Sequence, residues 1–278
     1  MDLAKCVFSQ TFTAWEWILI DDGSTDDGYD IVRHIKDPRV RVMRDHVNKG
    51  RSFRYNYISQ IARGDFIARF DADDLCQPTR FQKQVEFLRA HPDVDLVSTG
   101  MLCLGPGDVP LGHRTAKAIT HEEICRKPLS GFKIAHCSMM GRTEWFRKHP
   151  YPEQYRIAVD YALYISSYCN SRFANIPESL HFYREYATHS LRKYYHTNVG
   201  VSQAIKEYAP EGFSSVDKLK ARAARYFRIG VYAVATVAGL QWRLISQRRT
   251  QELREEDIRK FQQVMNVIKT TKVPGIDP

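Results

Sequence analysis

The stretch Phe66-Ile67-Ala68-Arg69-Phe70-Asp71-Ala72-Asp73-Asp74 sets an apolar run directly against three carboxylates in four positions. A short apolar run bounded by a turn reads as a buried strand, and open α/β sheets hold their ligands at strand ends. Carboxylates packed this closely repel one another. A hard divalent cation with oxygen ligands, Mg²⁺ or Mn²⁺, relieves that repulsion and tolerates phosphate neighbours. The cluster therefore suggests a metal that holds a diphosphate, and a solvated acidic turn capping the next helix is the plain alternative.

On the N-terminal side, Glu16-Trp17-Ile18-Leu19-Ile20 is a second apolar run, followed by the turn Asp21-Asp22-Gly23-Ser24-Thr25-Asp26-Asp27. Ile31, Val32 and Ile35 have helical spacing before the breaker Asp37-Pro38, and residues 39–43 alternate as a strand does. A helix is expected from Tyr55 to Ala62. On the C-terminal side, Pro78 opens a helix with Phe81, Val85 and Leu88 on one face, and a strand follows at 94–98. Residues 104–133, with Gly105-Pro106-Gly107, read as a mobile loop holding a short helix near Glu122 to Cys125. A helix at 161–168 begun by Asp160, a strand at 173–176 and helices after about residue 190 complete the pattern. Alternating strands and helices of this kind indicate an α/β fold with a mostly parallel sheet.

The chain has 278 residues and a formal charge of +9. Residues 191–278 hold 16 basic and 8 acidic side chains, so nearly all of the excess lies there. No recognisable nucleic-acid module accompanies it, which argues against that partner and for an anionic membrane surface, with a plain solvated face as the alternative. Six cysteines without a C-x-x-C pair suggest neither a disulfide framework nor a zinc knuckle. No leader-like start and no run of about 18 apolar residues is present, so the expected location is cytoplasmic, peripheral on the inner face of the plasma membrane.

Read in order, Gln10-Thr11-Phe12, Trp15-Glu16, Asp21-Asp22-Gly23-Ser24-Thr25-Asp26, Asn48-Lys49-Gly50, Asn56, Ala62-Arg63-Gly64-Asp65, Asp71-Ala72-Asp73-Asp74 and Pro78-Thr79-Arg80 closely resemble family 2 glycosyltransferases of the GT-A fold. His136, Arg142, Asp160 and Tyr183-Arg184 extend the resemblance over about the first 190 residues. It implies a GT-A nucleotide-diphospho-sugar transferase-like αβα sandwich at 1–190, followed by a basic helical extension at 191–278. The implied reaction is inverting transfer of a sugar from a nucleotide-diphosphate donor, UDP-linked by expectation, to a hydroxyl of a glycan or lipid-linked glycan, within polysaccharide synthesis. The resemblance places Asp21, Asp22 and Asp71 at the nucleoside, Asp73 with help from Asp74 at Mg²⁺ or Mn²⁺, and Asp160 as general base. Lys49 and Arg184 are candidates for the phosphates, and either also reads as surface charge. Asp21 and Asp22 could equally cap the following helix, and Asp160 could cap its own. His136 is assigned no chemistry.

Two departures accompany the match. Relatives begin with an apolar strand ending in a Pro/Asn loop, whereas this chain starts inside the helix that follows it. Two rows of strand pairing are therefore expected to be missing, and a fragment, a misplaced start or another element filling the gap would each account for that. Val159 stands where a glutamate is usual, and Tyr55 where many relatives carry arginine. These departures motivate the alternative of a non-catalytic binding or scaffolding relative. The apolar stretch Arg228 to Arg243 has basic ends and is short for a bilayer. It reads either as a helix packed on the domain or as one lying on a membrane.

Overall fold

The computed structural model describes residues 2–185, 190–240, 249 and 251–277. The elements in chain order are α1 (Asp2–Phe8), β1 (Trp17–Asp22), α2 (Gly28–Val32), β2 (Val40–Asp45), α3 (Arg51–Ile61), β3 (Phe66–Ala68), β4 (Leu75–Cys76), α4 (Arg80–Ala90), β5 (Leu96–Leu104), β6 (Pro110–Arg114), α5 (His121–Ile124), β7 (Met140–Arg142), α6 (Thr143–Lys148), α7 (Val159–Ser167), β8 (Phe173–Arg184), α8 (Leu191–Tyr208), α9 (Ser215–Val237) and α10 (Glu255–Thr270). This is the expected α/β architecture, and its strand pairing is mixed. β1 runs parallel to β2 and β5 parallel to β8, while β3–β7, β5–β7, β5–β6 and β4–β8 are antiparallel.

The strands form two separate sheets. β1 and β2 make a two-stranded ribbon, and the other six follow the order β3-β7-β5-β8-β4 with β6 attached to β5. Between the ribbon and β3 lies a crevice of about 370 Å³, lined by Trp15, Trp17, Ile18, Tyr55, Phe66, Ile67 and Phe81 among others.

Two strand expectations are corrected, and one helix expectation holds. The strand expected at 94–98 runs on to Leu104 and turns through Gly105-Pro106-Gly107 into β6, so the start of the supposed loop is a hairpin. The short helix inside it is present at His121–Ile124 and starts with a capping box between Thr120 and Glu123. The strand expected to stop at Ile176 continues through Pro177 to Arg184. A proline cannot donate to a ladder, and here the register between β5 and β8 shifts around Gly100. A Cβ on Gly100 would stand 2.7 Å from the Pro177 carbonyl oxygen, so glycine lets the two backbones close over the irregularity.

Burial separates the sheets. All nine residues of β5 are buried, whereas every residue of β1 is partly exposed. α4 lays Phe81, Val85 and Leu88 against Val97 and Met140 as its spacing predicts. Gln10, itself buried, accepts the Phe81 amide at 3.2 Å, so the Gln10-Thr11 motif serves the start of α4.

The C-terminal helices pack onto this body. Val201, Ala204 and Ile205 of α8 join the same apolar cluster as Leu163 and Ile165 of α7. Phe261, Met265 and Ile268 of α10 meet Cys6, Leu75 and Phe182. Beyond α10, Val273 is fully buried beside Ala4 and Ile35, and the Lys36 amide donates to the Pro274 carbonyl at 2.8 Å. The tail thus fastens the ribbon from outside. α9 stacks Tyr232 on Tyr194 of α8 and leaves Phe227, Val231, Val234 and Val237 exposed. Of the apolar stretch 228–243, residues 241–243 lie outside the described residues.

Candidate active site

The ribbon presents Asp21 and Asp22 at the end of β1. Asp22 accepts the amides of Lys49 at 2.9 Å and Gly50 at 2.8 Å, and Arg54 Nε at 2.6 Å. It therefore anchors the turn leading into α3 and does not cap α2, whose N-cap is Asp27. Burial alone would raise its pKa, but these donors prevail and hold it below the usual carboxylate range. Asp21 accepts the Ser24 amide, which lowers its pKa, while its Oδ2 lies 3.2 Å from Arg44 Nε without a hydrogen bond. Lys49 pairs with Asp45 at 3.0 Å. Arg54, mostly buried, joins Asp22 to Asp45 across the two strands.

The acidic turn belongs to the six-stranded sheet, and its three carboxylates face different surroundings. Asp71 accepts from Arg69 NH2 at 2.7 Å, and Arg69 lies over the Tyr55 ring at 4.0 Å and contacts its hydroxyl. Where Tyr55 replaces the arginine of relatives, the positive charge beside Asp71 thus comes from Arg69. Asp73 is exposed, and its carboxylate makes no hydrogen bond or ion pair with another described residue. Its surroundings and the neighbouring Asp74 raise its pKa, a field that favours a cation.

Asp74 turns inward. Its Oδ2 accepts His181 Nε2 at 2.9 Å and its Oδ1 accepts the Arg184 amide at 3.0 Å. Arg80, fully buried, sets NH1 3.2 Å from His181 Nδ1 and donates NH2 to the Arg69 carbonyl at 2.8 Å. An arginine can only donate, so Nδ1 accepts and the imidazole proton sits on Nε2, facing Asp74. Burial pushes the Asp74 carboxyl up to about 7 and keeps His181 neutral. Asp74, Cys137 and His181 bring three donor atoms within 4.8 Å of one another. As placed, Nε2 carries its proton toward Asp74, so a cation inside this group would have to displace it. Arg184 pairs with Asp108 at 2.7 Å and donates NH1 to the Asp73 carbonyl, which braces the acidic turn.

Asp160 is the second residue of α7. Ala158 before it takes the left-handed conformation, φ 59°, an uncommon state for a residue with a Cβ. α8 comes close at this turn because residue 200 is glycine, whose Cβ would stand 3.2 Å from the Ile157 carbonyl oxygen. Asp160 opens on a cavity, and the desolvating walls around it raise its pKa, which favours a base that takes up a proton. The Asp160 carboxylate accepts no side-chain donor among the hydrogen bonds of the described residues, so it is poised for a ligand as well as for its own helix. His136, partly buried and held neutral chiefly by desolvation, lies 2.9 Å from the Tyr151 hydroxyl.

One cavity of about 1090 Å³ joins these groups. Asp71, Ala72 and Asp73 line it together with His136 and Asp160, and α8 and α9 supply Lys193, Arg225 and Arg228. Asp21, Asp22 and Lys49 are not in its lining. Sequence reasoning missed Arg54, Arg69 and His181. Arg80 was visible only as part of the Pro78-Thr79-Arg80 motif, and an arginine on an otherwise apolar helix face was the available signal.

Residues 3–149 match the model of the family described as Glycosyl transferase family 2. The chain is 35% identical over 147 residues to a Bacillus subtilis (strain 168) protein named "Putative glycosyltransferase EpsE", covering 51% of each chain. It is 39% identical over 87 residues to the Escherichia coli UDP-Glc:alpha-D-GlcNAc-diphosphoundecaprenol beta-1,3-glucosyltransferase WfaP, covering 31% of this chain and 35% of WfaP. The chain thus spans about half the length of the first relative and about a third of the second. The mannosyltransferase PcManGT of Pyrobaculum calidifontis, solved in complex with GDP-Man and Mn²⁺, superposes with a TM-score of 0.53 at 15% identity, over 95% of this chain and 79% of that one. At that identity the likeness is one of fold, and the fold is that of GT-A glycosyltransferases.

Proposed function

The chain belongs to glycosyl transferase family 2, and we propose that it is an inverting, metal-dependent glycosyltransferase acting on a nucleotide-diphosphate sugar. The observation that carries this reading is the single cavity holding Asp71 and Asp73 together with Asp160. Asp73 fits the cation, because its oxygens are uncommitted and its surroundings favour positive charge. A bound Mg²⁺ or Mn²⁺ would neutralise the departing diphosphate, charge that develops only as the glycosidic bond breaks.

The remaining work falls to the chain's own side chains. Asp71, oriented by Arg69, receives ribose hydroxyls. Asp74 contributes by fixing the turn through His181 and Arg184, so that Asp73 faces the cavity. Asp160 takes the proton of the acceptor hydroxyl as that oxygen attacks. One base and one stabilised leaving group make a single displacement with inversion. Asp21, Asp22 and Lys49 come into play through the ribbon, which would carry the base of the nucleotide.

The donor is read as a UDP-sugar and the acceptor as a glycan or lipid-linked glycan of a polysaccharide pathway. Peripheral membrane contact is proposed through α9, whose exposed Phe227, Val231 and Val234 share one face with Arg228 nearby. Among the described residues no helix is long and apolar enough to cross a bilayer. Donor hydrolysis or transfer should require Mn²⁺ or Mg²⁺ and collapse in Asp73→Asn, and full activity in that variant would sink the metal assignment. Sedimentation with anionic vesicles at low salt tests α9: protein left in the supernatant removes the membrane role.

A further inference from the structure

The cavity is lined by more cationic than acidic side chains. Apart from Asp71, Asp73 and Asp160, its charged lining is cationic, and α8 and α9 supply Lys193, Arg225 and Arg228 to it. Lys193 and Arg228 are exposed to the cavity and make no ion pair among the described residues, and Lys117 on the facing loop is likewise unpaired.

Arg225 and Arg228 sit one turn apart on α9 and so share a face. The Arg225 guanidinium is buried and donates to the carbonyls of Leu129 at 3.1 Å and Ser130 at 2.7 Å, neutral partners that leave its charge uncompensated. Burial, and then the charge of Arg228, lower its pKa. Two like charges held together without a carboxylate favour an anion between them. Lys193 lies in the first turn of the 18-residue α8, where backbone amides add to the same field. A second group awaits a partner in the same wall: Asn175, 1% exposed, donates its Nδ2 to Ala118 and Lys133 carbonyls, and its Oδ1 has no hydrogen-bond partner. A sugar hydroxyl could donate to that oxygen.

The donor does not account for this wall. A diphosphate and a divalent cation at Asp73 largely offset each other, which leaves the positive groups of α8 and α9 unmatched. We propose that Lys193, Arg225 and Arg228 form the subsite for a phosphate carried by the acceptor, so that the acceptor is a phosphate-bearing glycan whose hydroxyl points toward Asp160. This inference rests on the glycosyltransferase reading.

The test is calorimetric titration of the protein with geranyl diphosphate, in Mg²⁺ and with UDP or GDP, whichever binds, held saturating. Geranyl diphosphate should bind alongside the nucleotide, and geraniol at least tenfold more weakly. The double variant K193E/R228E, both positions exposed, should lose at least tenfold in geranyl diphosphate affinity and change less than twofold in nucleotide affinity. Glucose 1-phosphate run in parallel separates a soluble glycosyl phosphate from a lipid-linked one, and binding of either that is lost in the double variant supports the wall. Displacement of the nucleotide by geranyl diphosphate, or equal binding by parent and double variant, overturns the subsite. Failure of both UDP and GDP to bind overturns the donor reading instead, and the double variant then judges the wall by itself.

Discussion

The β1–β2 ribbon and the six-stranded sheet each bring carboxylates to a strand end, but they hold them by different means. In the six-stranded sheet, Asp74 is fixed by a buried imidazole and a backbone amide, in a sheet whose β4 and β5 are wholly buried. In the ribbon, Asp22 is fixed by Arg54 and two loop amides on strands that remain half exposed. The crevice between them explains the contrast, because each sheet ends where it could have been paired by the other. Packing positions one half of the site and electrostatics the other.

The largest expected effect tests whether chemistry belongs to the packed half. Asp160→Asn should lower transfer by about 10²- to 10⁴-fold, the usual worth of a positioned base, with nucleotide affinity within twofold by calorimetry. Equal loss of binding would make Asp160 a structural cap. Next in size is Asp74→Ala, which strands the His181 Nε2–H and the Arg184 amide. Each buried unsatisfied donor costs about 1–3 kcal/mol, so urea unfolding should show a loss of about 2–6 kcal/mol, and a loss below about 1 kcal/mol would mean the turn rebuilds around solvent.

In the ribbon, Arg54→Met removes the cation between Asp22 and Asp45 and should cost about 1–3 kcal/mol, discounted for their partial exposure. Hydrogen exchange should speed up at β1 and β2 amides well before those of β5 and β8. Uniform acceleration would show that the two sheets open together.

Acidity sets the halves apart by sign. Asp160, with a raised pKa, must lose its proton to act, so transfer should fall about tenfold per pH unit below its own value, above the ordinary carboxylate range. Asp22, with a lowered pKa, supports the ribbon at every pH above the unfolded carboxylate value and loses that support only as pH drops through its lower folded value. Nucleotide binding should therefore outlast transfer on acidification, and parallel loss would contradict the division. The smallest effect belongs to Lys83→Ala, whose exposed pair with Glu178 should be worth less than about 0.5 kcal/mol in thermal unfolding.

The sequence was legible where chemistry and spacing coincide. The acidic turn, the helix opened near Asp160 and the α/β alternation follow from local patterns, and the cavity brings Asp71, Asp73 and Asp160 together. The partners of these residues were not legible. His181 reaches Asp74 only after β8 is placed beside β4, and Arg54 reaches Asp22 only once α3 lies against the end of β1. β8 was cut short because Pro177 reads as a strand end, and only the facing Gly100 reveals how the ladder passes it. The orientation of Asp74 was hidden for a related reason: three adjacent carboxylates look alike in sequence, and the imidazole beneath them decides which one turns inward.

The fastening of the ribbon by Val273 and Pro274 has a temporal side. Ile35 and Lys36 leave the ribosome well before Val273 and Pro274, the residues that cover them. At roughly 5–20 residues per second the ribbon waits on the order of tens of seconds for its clasp. During that interval its strand edges are open to any extended chain nearby, so the ribbon depends on chaperone shelter until Val273 and Pro274 arrive.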